Sequence, residues 1–287
     1  MEYGSEIWCS GKNISDLETV HLGFLKYTLG VKRSTSSLAI YGETGRFPLV
    51  LRQQDNAVKL WFRLKFSKAQ KPINHVFSEL ENLHSLGHLT WLTKIQNILG
   101  DFFLNIPNNV SPRRLISQLK DIRYTNFIEK FFADINDSAS NPILRTYCLF
   151  KSDYRRESYL HHASNRNLLT AISRFRTSSH SLHIETGRHT VPITPKENRI
   201  CKFCQLNEID DEIHMLLKCP FHITERTNLL EALQPLFQNY PPDYDEDTFR
   251  LIMQIKNPNI INVLGKYLSI GSLRRKKYLE SLSENSP

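Results

Sequence analysis

The chain has 287 residues, enough for one large or two modest domains with a sizeable core. Its 37 Lys and Arg against 29 Asp and Glu leave a net charge of +8, which favours anionic partners and puts nucleic acid, RNA or DNA, first among them. Five cysteines in unrelated contexts, no apolar leader after Met1 and no apolar run of about 20 residues argue against a disulfide framework, a secretory signal and a membrane span. They place the protein in a reducing, intracellular compartment.

Taken in order, the hydrophobic pattern predicts a mainly α protein. Residues 1–11 are short and mixed, punctuated by Gly4 and Gly11. Ile14–Leu29 reads as a helix with Leu17, Val20, Phe24 and Tyr27 on its apolar face and Gly30 as its stop. Leu38–Glu43, closed by Gly45, is a short helix. Leu49–Phe66 is a longer one, with Leu51, Val58, Trp61, Phe62 and Leu64 as its apolar set. Two more helices, Ile73–Leu86 and Leu89–Leu99, are split at Gly87. A loop over Phe102–Val110 leads into a long helix that starts at Ser111-Pro112 and reaches Ile135, lined by Leu115, Leu119, Ile122, Phe127 and Phe131. Asn136–Pro142 breaks it. Residues 1–136 thus form one helical region.

The next segment, 143–190, is basic. Short helices are predicted over Ile143–Phe150, Arg155–His162 and Arg166–Arg176, and Ser178–Arg188 has no helical period and reads as a loop. Arg145, Arg155, Arg156, Arg166, Arg174, Arg176 and Arg188 alternate with Tyr147, Tyr154, Tyr159 and Phe175. Cations interleaved with aromatics suit a phosphate track with base stacking. The same pattern also suits a helical layer with buried rings and solvated arginines.

The chemistry concentrates in 191–236. Cys201 and Cys204 are two residues apart on one tight turn, and His214 and Cys219 follow within fifteen residues. Three cysteines and one histidine make a closed set of four ligands, the count of a structural zinc site with no position left for catalysis. Asp210, Asp211 and Glu212 sit where a short helix would start and suit its dipole, as caps rather than ligands. Cys219 precedes Pro220, which pushes it out of the helical region and turns it back toward the metal. Pro220 then opens a helix over Phe221–Leu236. His180, His183 and His189 have poor spacing to the cysteines and read as loop or buried polar residues. Beyond an acidic turn, Asp247 is the predicted cap of Phe249–Ile255. Ile260–Leu282 is the last helix of a C-terminal pair spanning 247–282, and it carries Arg274-Arg275-Lys276-Lys277, a cluster suited to phosphate contact or nuclear targeting.

At these residues a resemblance appears. Cys-x2-Cys, Asp210-Asp211-Glu212, then Ile213-His214 and Cys219-Pro220 resemble the zinc-binding domain that follows the reverse transcriptase in non-LTR (LINE-type) retrotransposon polyproteins. Glu2–Trp8, Leu29–Lys32 and Tyr41–Leu49 are similar to the region just beyond the polymerase palm of those proteins. Arg174–Arg188 is similar to the segment leading into their zinc motif. The resemblance implies a thumb-like role for residues 1–136, a CCHC zinc module at 191–236, and a chain that begins where the palm has ended. It also implies RNA or DNA as partner, with no small-molecule substrate.

Polymerase chemistry needs paired carboxylates holding two metal ions. The nearest approach to an aromatic-x-Asp-Asp hairpin, Phe132-Ala133-Asp134-Ile135, lacks the second acid, and no GxSxG, P-loop or HExxH occurs. The expectation is a zinc-stabilised nucleic-acid-binding fragment rather than an enzyme. Its alternatives are a protein-interaction module stapled by zinc and a decayed fragment without present activity.

Overall fold

A computed structural model describes Gly4, Ile7 and residues 12–67, 71–104, 111–237 and 242–284. Among these residues the fold is mainly helical, without strands, and carries a Cys/His cluster. The α-helices are α1 (Lys12–Leu29), α2 (Ser37–Thr44), α3 (Leu49–Lys65), α4 (Pro72–Ser85), α5 (Trp91–Leu99), α6 (Pro112–Asn136), α7 (Tyr147–Phe150), α8 (Tyr159–His162), α9 (Arg166–Arg176), α10 (His183–Thr186), α11 (Ile223–Leu233), α12 (Glu246–Met253) and α13 (Pro258–Glu284). No described helix is long and apolar enough to cross a membrane. The expected punctuation at Gly11, Cys9, most of the Glu2–Trp8 block and most of the loop before α6 lie outside the described residues.

The chain divides into two compact units. One takes the described residues up to Leu22 with Phe47–Phe131, and the other takes Gly23–Arg46 with the described residues from Phe132 onward. The core of the first is built where the apolar pattern of α3 put it. Ala57, Val58, Trp61 and Phe62 pack with Phe77 of α4, Leu92, Ile95 and Leu99 of α5, and Leu115 and Leu119 of α6. α5 begins at Trp91 because Thr90 caps it, its hydroxyl accepting from Leu92 N–H while Thr93 reaches back to the Thr90 N–H. Ile122 of α6, expected in the core, is exposed.

In the second unit, α13 packs against α9 and α11. Leu168 and Ile172 of α9 and Ile261, Leu264 and Leu268 of α13 are all buried. Gly265 permits this crossing, since a Cβ there would stand 2.9 Å from Leu168 Cβ. α2 is buried nearly all round and ends at Gly45, whose φ of +60° is the left-handed turn predicted for a helix stop.

Several local expectations are corrected. α1 does not bury the Leu17/Val20/Phe24/Tyr27 face. Its buried residues are Ile14, Leu25 and Leu29, while Val20, Phe24 and Tyr27 are 56%, 65% and 76% exposed. Arg155–Ser158 is not helical, and the helix starts only at Tyr159. Ser178–Arg188 holds one helical turn, α10, because Asp210 anchors it. Its carboxylate accepts from His183 N–H at 2.8 Å and its carbonyl from Ile184 N–H at 3.1 Å. The cap of α12 is Asp245, not Asp247, since the Asp245 side chain accepts from Thr248 N–H at 2.8 Å.

The largest revision concerns charge. Arg176, placed on the cationic track by its sequence, is 3% exposed. Its Nε and NH2 donate to the two carboxylate oxygens of Glu43 at 2.7 and 3.0 Å, and Glu157 lies 2.9 Å from NH2. NH1 donates to the Met253 carbonyl, and the guanidinium stands 4.4 Å over the Phe150 ring. A fork matched to a carboxylate, with every direction filled, is an internal tie and not a phosphate contact.

Candidate metal centre

The turn that carries Cys201 and Cys204 is a small knuckle. Ile200 and Ile209 form an isolated antiparallel bridge, with Cys201 N–H donating to Glu208 O at 2.9 Å and Asp210 N–H to Arg199 O at 2.9 Å. Asn207 takes φ +56°, a left-handed position that asparagine tolerates, and this lets the chain reverse. The returning strand-like segment ends at Asp211, whose carboxylate accepts from His214 N–H at 2.9 Å and so starts the next turn.

That turn is a single π-helical one, His214–Lys218, and not the α-turn expected. Cys219 N–H donates to His214 O at 2.8 Å, five residues back. The wider winding brings residue i+5 back beside residue i. Cys219 then leaves the helical region at ψ 117°, as expected for a residue before proline. Pro220 opens a 3-10 turn, Pro220–His222, and α11 follows from Ile223 to Leu233, shorter at both ends than the predicted helix.

The result is that Cys201, Cys204, His214 and Cys219 bring one ligand atom each to within 4.8 Å of the others, and the four could hold a metal ion. Cys201 Sγ lies 3.8 Å from Cys219 Sγ, and Cys204 Sγ 3.4 Å from His214 Nε2. Cys201, His214 and Cys219 are buried. The Cys219 sulfur and burial push the Cys201 thiol up to about 12, so at neutral pH its ionisation needs a cation beside it.

One residue the spacing did not reveal is Glu208. Its Oε2 accepts from His214 Nδ1 at 3.0 Å, which leaves Nε2 as the ligand nitrogen facing the thiols. Carboxylates in this second layer commonly contribute ~10–100-fold to metal affinity. Glu208→Gln should therefore weaken metal binding by about that range, read by competition with a chromophoric chelator, while leaving helix content unchanged. A periodic pattern could not have found it, because Glu208 acts from the bridge and not from a helix face.

Asp210 and Glu212 lie outside the Cys/His cluster and do not cap the turn that follows them. Asp210 pairs with Arg275, whose guanidinium sits 3.9 Å over the Phe203 ring, and both side chains are buried. Glu212 takes Arg145 NH2 at 2.6 Å and His180 Nε2 at 2.8 Å. Burial would raise its carboxyl, but His180 and Arg145 outweigh it and hold the group down at about 2. His180 and His183 are polar ties of this framework, His183 Nδ1 meeting Ile200 O at 3.1 Å, and His189 is exposed. His222 is fully buried outside the cluster. Burial and the cations of Arg275, Arg226 and Arg274 push it down to about 3, so it is neutral.

The cationic residues therefore fall into two sets. Arg145, Arg176 and Arg275 are engaged in internal ion pairs, and Arg188 is half-buried against Glu185 and the Pro142 carbonyl. Arg155, Arg156, Arg166, Arg174, Arg274, Lys276 and Lys277 are exposed. Of these, Arg274 pairs with Glu225 at 3.2 Å and lies 4.5 Å over the Phe221 ring. Comparison with protein-family models, curated proteins and solved structures finds no match to this chain.

Proposed function

We propose that this chain is a zinc-stabilised nucleic-acid-binding segment of the non-LTR reverse transcriptase type, without polymerase chemistry of its own. The observation that carries the reading is the shape of the Cys/His cluster. A tetrahedral zinc with Zn–S of about 2.3 Å and Zn–N of about 2.0–2.1 Å has S···S edges near ~3.8 Å and S···N edges near ~3.5 Å. The separations of 3.8 Å for Cys201–Cys219 and 3.4 Å for Cys204–His214 fit those edges. Four protein ligands close the sphere, so the ion would staple the fold and activate no water. Its chemistry is that of a framework: it would hold the knuckle against the π-turn, and the sequence carries no aromatic-x-Asp-Asp hairpin for polymerase catalysis.

Nucleic acid as the partner is supported by the net charge of +8 and by the exposed cations on α9 and the distal half of α13. Contacts of this kind are mainly to phosphate, so log affinity should fall linearly with log salt, at a slope near −0.9 per neutralised phosphate on duplex DNA. A binding series across ionic strength with a labelled RNA and a labelled duplex tests this. Affinity that ignores salt contradicts it. A second reading, a zinc-stapled protein-interaction module, draws on the internal pairing of Arg145, Arg176 and Arg275, which removes cations from the surface. Binding to a purified partner that persists after nuclease treatment would favour that reading.

A further inference from the structure

We infer that the C-terminal turns of α1, with the facing side of α9, form a stacking platform for single-stranded nucleic acid. The inference rests on the nucleic-acid reading above and adds where the strand lies and which form it takes. Phe24 and Tyr27 are one turn apart on α1, so their rings share a face, and they are 65% and 76% exposed. Two large aromatic rings left this open beside cations are unusual for a helix whose core side is already satisfied by Leu25 and Leu29.

Cations gather at the Tyr27 end of this face. Arg166 of α9 donates to the Tyr27 carbonyl, and its guanidinium stands 5.4 Å over the Tyr27 ring. Arg174, two turns further along α9, donates from Nε to the Gly30 carbonyl at 2.7 Å. Both arginines are exposed and thereby held at the end of α1, where they also meet the helix dipole favourably. Lys32 and Arg33 follow directly after α1 and are exposed, and Lys32 Nζ donates to the His180 carbonyl at 3.0 Å. The two segments that build the patch, 23–37 and 163–181, contain no Asp or Glu.

A strand of unpaired nucleotides offers what this surface lacks on both counts. Its bases have faces for Phe24 and Tyr27, and its phosphates have charge for Arg166, Arg174, Lys32 and Arg33. A duplex hides its base faces in the stack, so it would use the cations alone. The platform therefore discriminates single strands from duplexes without reading sequence.

The test uses the full chain, a fluorescent oligothymidylate and a duplex of equal length at one ionic strength. Phe24→Ala and Tyr27→Ala should each weaken oligothymidylate binding about five- to 150-fold, the range that a lost base stack gives. Duplex affinity and thermal midpoint should stay at the wild-type values, because neither ring belongs to the core. Arg166→Gln should lower the salt slope by about one on both probes. Binding that is salt-dependent but indifferent to Phe24→Ala and Tyr27→Ala overturns the platform and leaves the nucleic-acid reading standing. Failure to bind either probe overturns both. A wild-type chain that self-associates in sedimentation, and loses this in Phe24→Ala, makes the face a contact between copies and also overturns the platform.

Discussion

On the zinc reading proposed above, Cys219→Ser should abolish metal binding and unfold the knuckle from Ile200 to Ile209. The serine hydroxyl is not a thiolate, and three remaining ligands leave the sphere open. In zinc modules the apparent metal-binding energy at neutral pH is about 10–16 kcal/mol and is itself folding energy. The knuckle between Ile200 and Ile209 is paired by one isolated bridge, too little to order it alone. The π-turn has support of its own, since Met215, Leu216 and Leu217 are buried and Arg226 and Tyr267 donate to its carbonyls, whereas the knuckle has Arg275 and the Phe221 and Tyr278 rings against Phe203. Hydrogen exchange should show lost protection from Ile200 to Ile209, with α3 and α5 unchanged. Cys148→Ser is the control. That thiol donates to the Arg145 carbonyl at 3.2 Å, outside the cluster, and its loss should not alter metal content.

Arg176→Met will destabilise the second unit by about 3–5 kcal/mol, the cost of leaving a buried partner charge uncompensated. Glu43 is wholly buried, and the charges of Arg176 and Lys151 act on it. A loss of that size is a third or more of the ~5–15 kcal/mol that typically separates folded from unfolded chains. Urea denaturation followed by circular dichroism measures it, and a shift under about 1 kcal/mol would mean the pair is incidental. The same pair sets an acid dependence. Burial alone would raise the Glu43 carboxyl, but the Arg176 charge and hydrogen bonds prevail, and the group is lowered from its ordinary 4.5. The stabilisation it brings is therefore fully present above pH 4.5 and is lost as the pH falls through the lower folded value. Glu43→Gln should flatten this part of the acid unfolding curve.

Much of the fold was legible because apolar spacing and stop signals agree along most of the chain. Gly45 and Pro112 mark boundaries that the helices obey. That Cys201, Cys204, His214 and Cys219 come together was legible because Cys-x2-Cys, a histidine and a pre-proline cysteine each constrain the backbone locally. What escaped depends on partners distant in sequence. Arg176 meets Glu43 across 133 residues and Arg275 meets Asp210 across 65, so a list of basic residues counts as surface what the fold has internalised. Asp210 and Glu212 look like caps beside Asp211, yet only Asp211 starts the turn, because the other two face arginines. The buried face of α1 escaped for another reason. Its apolar residues cover more than one side, and periodicity alone does not tell a core stripe from an exposed one. Glu208 escaped because its role exists only once the bridge sets it against His214.

The central claim is that Cys201, Cys204, His214 and Cys219 close around one zinc ion. Elemental analysis of the purified wild-type chain, alongside Cys219→Ser, tests it most directly. The account predicts one zinc per wild-type chain and none in the variant. A wild-type chain that is folded and metal-free after purification in the presence of zinc contradicts it.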